Sequence, residues 1–145
     1  MRDTNHGKAG MGDETARSSA AVARHALPLA YSCSGCSSAA QLANTLAIRL
    51  DRARLADMSC VAGIGGDVPA LLKAARSGRR IVVLDGCRLH CARQCLARHA
   101  IAMDLHIDLS RAGIQRRLHE DVPAAEVQRV WASIVLPQMA QLRDQ

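Results

Sequence analysis

Ile81-Val82-Val83-Leu84-Asp85-Gly86-Cys87-Arg88-Leu89-His90-Cys91 is the stretch on which the fold turns. A continuous apolar run rich in β-branched residues is the pattern of a strand buried on both faces, as strands of a parallel sheet are. Asp85-Gly86 breaks the run, and the spacing then predicts a helix over 89–100 with Leu89, Ala92 and Leu96 on its inner side. A buried strand, a turn and an amphipathic helix make up half of a βαβ unit.

Working outward, the same alternation recurs. Residues 27–32 form a short apolar stretch that ends at Cys33, and Ala39, Leu42, Ala43, Leu46 and Leu50 follow at helical spacing. A second short strand over 55–59 ends at Cys60. Gly63-Ile64-Gly65-Gly66 then reads as a tight turn, and Asp67-Val68-Pro69-Ala70 as a helix start with Asp67 as the cap and Pro in the first turn. Downstream, Ile101, Met103, Leu105, Ile107 and Leu109 alternate with Asp104, His106 and Asp108, the signature of a half-exposed edge strand. A short helical piece is expected over 111–118. Asp121-Val122-Pro123-Ala124 opens a last helix, which carries Val127, Val130, Trp131 and Ile134 inward and is ended or kinked by Pro137.

This order predicts the α/β class: a single three-layer, Rossmann-like domain over 27–145, with a mainly parallel sheet of about four strands and right-handed crossovers. In such sheets the site lies beyond the carboxyl ends of the strands. Residues 1–26, rich in Gly, Ser, Thr, Ala and charge, read as a disordered tail.

Composition narrows the function classes. The chain has 145 residues, 49% of them apolar, with no Phe, one Trp and one Tyr, so Leu, Val, Ile and Ala must build the core. No apolar run reaches bilayer length, and no membrane partner is expected. Net charge is +6, and 17 of the 19 basic residues are Arg. They are scattered and lack accompanying aromatic stacking platforms, so they read as solvated helix surfaces and nucleic acid is not an expected partner. The first 26 residues lack the apolar core of an export signal, which predicts a cytoplasmic protein whose thiols stay reduced.

Six cysteines stand out against this background: Cys33, Cys36, Cys60, Cys87, Cys91 and Cys95. Cys33, Cys60 and Cys87 each close a predicted strand. Cys36 falls in the first turn of the following helix, and Cys91 and Cys95 share a helix face four residues apart. All six are thus expected on one rim of the sheet. Helix N-termini pointing at that rim are expected to favour thiolates, which suit zinc, copper(I) or an iron–sulfur cluster.

Three readings compete: small buried hydrophobes, a metal centre, and a thiol-redox pair at Cys33-Ser34-Gly35-Cys36. A fourth pattern, Cys87 to Arg93, fits the C-x5-R of cysteine phosphatases. Arg is abundant enough to produce such a match by chance, and the loop has no internal Gly. The Gly63–Gly66 loop could cradle a phosphate, but it lacks the full dinucleotide fingerprint. His90 is the one imidazole expected near the rim, as a fifth donor or a supporting group. His90, His99, His106 and His119 are otherwise read as surface residues.

Cys33-Ser34-Gly35-Cys36-Ser37, Gln41-Leu42-Ala43-Asn44, Met58-Ser59-Cys60-Val61-Ala62-Gly63-Ile64-Gly65-Gly66, and above all Asp85-Gly86-Cys87 with Cys91-Ala92, resemble the DGC-domain proteins. These small bacterial and archaeal proteins are described as zinc-binding. The resemblance covers about residues 29–120 and implies a cysteine-ligated zinc site, with an iron–sulfur cluster the less favoured cofactor. It also implies a core ligand set of Cys33, Cys60, Cys87 and Cys91, with Cys36 and Cys95 as auxiliary or exchanging thiols. Arg88 stands where the family has Pro, which frees the loop after Cys87. The expectation is therefore a small zinc-binding protein with no assigned catalytic residue, whose partner is the metal ion. The alternatives are a thiol–disulfide oxidoreductase using Cys33 and Cys36, or an iron–sulfur protein.

Overall fold

The computed structural model describes residues 27–145; the expected tail at 1–26 lies outside the described residues. The strands are β1 (Leu29–Ser32), β2 (Asp57–Met58), β3 (Ile81–Asp85) and β4 (Leu105–Asp108). They form one all-parallel sheet in the order β2-β1-β3-β4. Every residue of β1 and β3 is buried, as the uninterrupted apolar pattern of the third strand requires. Tyr31 pairs with Val83 and Ser32 with Leu84, while Asp85 pairs with Asp108.

The helices are α1 (Ser38–Arg52), α2 (Val61–Gly65), α3 (Pro69–Ala75), α4 (Cys91–Arg98), α5 (Ala124–Val130) and α6 (Leu136–Arg143). The chain winds from β1 outward to β2, then returns across β1 to β3 and on to β4. Right-handed crossovers therefore put α1 on one face and α3 and α4 on the other, and the packing agrees: α1 touches α5, whereas α4 touches α2. The winding reverses between β1 and β3, and in doubly wound sheets ligands bind outside the carboxyl ends of the strands at such a switch point.

α1 begins where the Ser37 hydroxyl accepts from the Ala40 amide at 3.3 Å. It buries Ala39, Leu42, Ala43, Leu46, Ala47 and Leu50 along one stripe. At its far end the Arg49 guanidinium lies over the Trp131 ring, 4.6 Å from the centroid.

Several local expectations are corrected. β2 spans only two residues because the amides of Leu55 and Ala56 turn back to the Leu50 carbonyl and close α1 instead of entering the sheet. The glycine-rich stretch is not a bare turn, since Val61–Gly65 is helical. Asp67 does not cap α3: it sits at φ 61°, outside the helix, and its carboxylate takes Arg98 at 2.7 Å and His99 at 3.0 Å. The helix expected from Leu89 starts at Cys91, because His90 adopts φ 50°, which a right-handed helix excludes; Leu89 is accordingly 66% exposed rather than inward. Residues 111–118 are not a helix, since a single 3₁₀ turn at Leu109–Ala112 ends at Gly113 with φ 74°. Pro137 does not end the last helix. A π turn over Trp131–Val135 lies just before it, widening the backbone where proline can neither donate to nor pack against the preceding turn.

Candidate metal centre

Asp85-Gly86-Cys87 leaves β3 at the switch point, and each residue of the triplet has a separate physical task. The Asp85 carboxylate is fully buried and accepts from the amides of Ala92 at 2.9 Å and Arg93 at 3.2 Å, which makes it the cap of α4 from seven residues upstream. Its second oxygen also accepts from His106 Nε2 at 3.0 Å. Gly86 lies so close to α1 that a Cβ there would stand 2.1 Å from the Ala39 carbonyl oxygen, so only glycine fits. This close approach carries the Gly86 N–H to the Cys33 sulfur, which accepts at 3.1 Å.

Cys33 follows β1 directly, is buried, and hands its own N–H to the Leu84 carbonyl at 2.9 Å. Cys87 is half-buried two residues after β3, and Cys91 opens α4 as an exposed residue. Cys95 is half-buried one turn further, its sulfur 3.1 Å from where Gly65 would carry a Cβ. Cys60 is exposed two residues after β2, at the start of α2. Cys36 is exposed in the loop before Ser37, a loop pinned by Gln41 Nε2 donating to the Gly35 carbonyl at 2.6 Å. All six are free thiols. The structure brings Cys33, Cys87 and Cys91 together around Asp85, with Cys95 next to Cys91, close enough for their charges to act on one another. Cys36 does not join that group, and Cys60 is felt instead by the buried Tyr31 phenol.

The electrostatics correct one expectation. Burial pushes the Cys33 thiol up to about 12, with the charges of Asp85, Cys87 and Cys91 adding to the shift and the Gly86 N–H opposing it. A thiol pushed that high keeps its proton at neutral pH, which works against Cys33 as an attacking nucleophile. Cys91 is raised in the same way, by burial first and then by Cys87 and Asp85. At α4 the helix terminus does not offset burial, and the Asp85 charge beside it works in the same direction as burial. Two of the amides that a C-x5-R loop would aim at an oxyanion, those of Ala92 and Arg93, are bonded to Asp85 instead, which weighs against that reading.

Sequence reasoning missed a polar cluster beside these thiols. His106 and Asp108 were expected on a solvated face of β4, yet their side chains are only 17% and 8% exposed. Asp108 pairs with His90 Nε2 at 2.9 Å and accepts from the Ser110 amide at 3.0 Å and the Ser110 hydroxyl at 2.6 Å. Burial works to raise the Asp108 carboxyl, but the bonds from Ser110 and His90 outweigh it and hold it below the ordinary carboxylate range. The His90 and His106 rings meet edge to face with centroids 5.1 Å apart. The alternation in β4 placed His106 and Asp108 on one face. What it lacked was the loop of Cys87 to His90, closed by His90 N–H donating to the Cys87 carbonyl at 3.1 Å, whose His90 lies over that face.

The donor chemistry, soft sulfur with imidazole and carboxylate behind it, suits a thiophilic ion. Among the described residues, however, no three His, Cys, Asp or Glu side chains converge closely enough to hold a metal as they stand. No helix among the described residues is long and apolar enough to cross a membrane.

Comparison with known proteins places the DGC domain over residues 29–134. The chain is also 58% identical over 108 residues to the anaerobic and virulence modulator AnvM of Pseudomonas aeruginosa, an overlap covering 74% of this chain and 82% of the relative. No solved structure matches the chain.

Proposed function

This chain belongs to the DGC-domain family, and from that premise we propose that it is a zinc-binding protein that holds the metal in cysteine thiolates at the carboxyl ends of the strands. Cys33, Cys60, Cys87 and Cys91 are the proposed core ligands, with Cys36 and Cys95 as auxiliary or exchanging thiols. The observation that carries this reading is the 3.1 Å bond from Gly86 N–H to the Cys33 sulfur, which ties the family triplet to a second, distant cysteine. A zinc ion supplies charge neutralisation and a tetrahedral template for such sulfurs. Ligating thiols must lose their protons, so uptake releases acid and strengthens as pH rises. The sulfurs must also move together to close a site, which suits a metal that is sensed or handed on better than one locked in as a structural pin. The relative is described as a modulator, and a modulator whose state follows metal occupancy is the role we assign here, in the reducing cytoplasm that keeps such thiols free.

Metal analysis of anaerobically purified protein tests the reading. Near-stoichiometric zinc that is lost in Cys87→Ser, while Cys36→Ser retains it, is the expected result. Protein that neither carries zinc nor takes it up from a competing chelator would overturn it. Visible absorption with bound iron would replace zinc by an iron–sulfur cluster.

A further inference from the structure

A groove of about 480 Å³ opens beside Cys87, walled by Arg88 and Leu89 on one side and by Ser110, Ile114 and Arg116 on the other. Its volume falls in the range of small-molecule sites, and among the described residues its lining contains no carboxylate. Arg88 and Arg116 come from separate segments and are both exposed. Among the described residues neither is in an ion pair, whereas the nearby Arg111 and Arg117 are engaged by Asp108, Glu120 and Glu126. Asp108 is already taken up by Arg111, His90 and Ser110.

The apolar part is equally specific. Leu89 is the most exposed of the large hydrophobic residues, at 66%, and the Cys87–His90 turn with its left-handed His90 holds it outward. Ile114, 8% exposed, lines the groove opposite. Ser110 Oγ spends its proton on Asp108 and can only accept from a ligand. Two unpaired guanidiniums above an apolar wall match a small molecule with an oxyanion at one end and a short hydrocarbon body at the other.

We propose that this groove binds a small amphipathic oxyanion, a carboxylate or phosphate monoester, which Arg88 and Arg116 hold by its head and Leu89 and Ile114 by its chain, covering Cys87. The proposal does not depend on zinc, because the contacts come from side chains that are not proposed ligands.

Calorimetric titration of reduced, metal-free protein with octanoate, octyl phosphate, octanol and inorganic phosphate tests it. Either octyl acid should bind at least tenfold more tightly than octanol or inorganic phosphate, and the tighter of the two identifies the head group. Arg88→Gln and Arg116→Gln should each weaken binding about tenfold, as loss of one charge-assisted pair implies. Leu89→Ala should weaken it several-fold, and Arg52→Gln, on the exposed end of α1, should leave it unchanged. Bound ligand should also slow alkylation of Cys87 while leaving Cys36 unaffected. Equal affinity for octanol and the acids, no binding at millimolar concentration, or indifference to both arginine substitutions in protein that melts normally would overturn the proposal.

Discussion

Replacing Asp85 by Asn keeps the shape of the side chain and removes its charge and one of its two acceptor oxygens. In the native protein that carboxylate is fully buried and serves three donors: the amides of Ala92 and Arg93 and the ring of His106. An asparagine can still accept from Ala92, but its NH₂ then faces the Arg93 amide and the His106 N–H, donor against donor. Loss of a helix cap costs about 1 kcal/mol. Loss of a hydrogen bond to a charged group costs about 1.5–3 kcal/mol more. The expected loss is therefore about 2.5–4 kcal/mol, a large share of the roughly 5–15 kcal/mol that holds a domain of this kind together. Urea unfolding of reduced, metal-free protein measures it. A cycle with His106→Gln should show a coupling of at least about 1 kcal/mol, since the two residues share one bond. Stability within about 0.5 kcal/mol of wild type, or strictly additive single changes, would refute the assignment of Asp85 as the buried cap that organises this corner.

Gly86→Ala should destabilise by about 1–3 kcal/mol or prevent folding, because its methyl group would meet the Ala39 backbone at 2.1 Å; Gly35→Ala, whose Cβ would stand 3.9 Å from Ala40, should be tolerated, and thermal melts compare them. Iodoacetamide should alkylate Cys36 readily and Cys33 only at the rate of unfolding, because Cys36 is exposed while Cys33 is buried with its thiol at about 12; peptide mass spectrometry reads both, and rapid labelling of Cys33 in folded protein would contradict its burial. Asp108 holds its proton less tightly when folded than in the unfolded chain, so its contribution is complete above the ordinary carboxylate value of 3.8 and is lost as pH falls through and below it. Asp108→Asn should thus lower stability near neutral pH and flatten the acid limb of the stability profile, measured by urea midpoints at successive pH values; parallel acid limbs would sink the claim.

The parts of the fold that sequence makes visible are those governed by burial. Ile81–Asp85 reads as a central strand because each of its residues is buried, and the stripe from Ala39 to Leu50 reads as a helix because one face packs on the sheet. The parts that stayed hidden are governed by long-range hydrogen bonds. Asp67 looked like a cap because Pro69 follows it, but pairing with Arg98 and His99, some thirty residues away in sequence, holds it outside the helix. Asp85 looked like a loop residue because nothing local marks a carboxylate that caps a helix from seven positions upstream. His106 and Asp108 looked solvated because the alternation in β4 says which face they share but not that His90 lies over it. The cysteines are visible by their number and spacing, whereas the burial that pushes the Cys33 thiol up, and the Asp85 charge that adds to it, come from contacts between segments far apart in sequence.

That buried acid explains why the family triplet holds three different residues. Asp85 alone would cap α4 and fix where Cys91 begins, yet it would leave Cys33 on another strand unconnected to either. Gly86 makes the connection, because removal of a side chain lets β3 press against α1 and deliver an N–H to the Cys33 sulfur. Cys87 then leaves the strand beside the sulfur so held, with Cys91 on the helix that Asp85 caps. A substitution at any of the three should therefore act on the thiols as a group: Asp85→Asn through the helix, Gly86→Ala through the strand-to-helix distance, and Cys87→Ser through the sulfur itself. Asp85→Asn and Gly86→Ala both leave every thiol present, and Asp85→Asn does so without a steric clash. A fall in the zinc affinity of Asp85→Asn, measured by chelator competition in protein shown to be folded, would show that the carboxylate positions sulfurs and does not merely stabilise the fold.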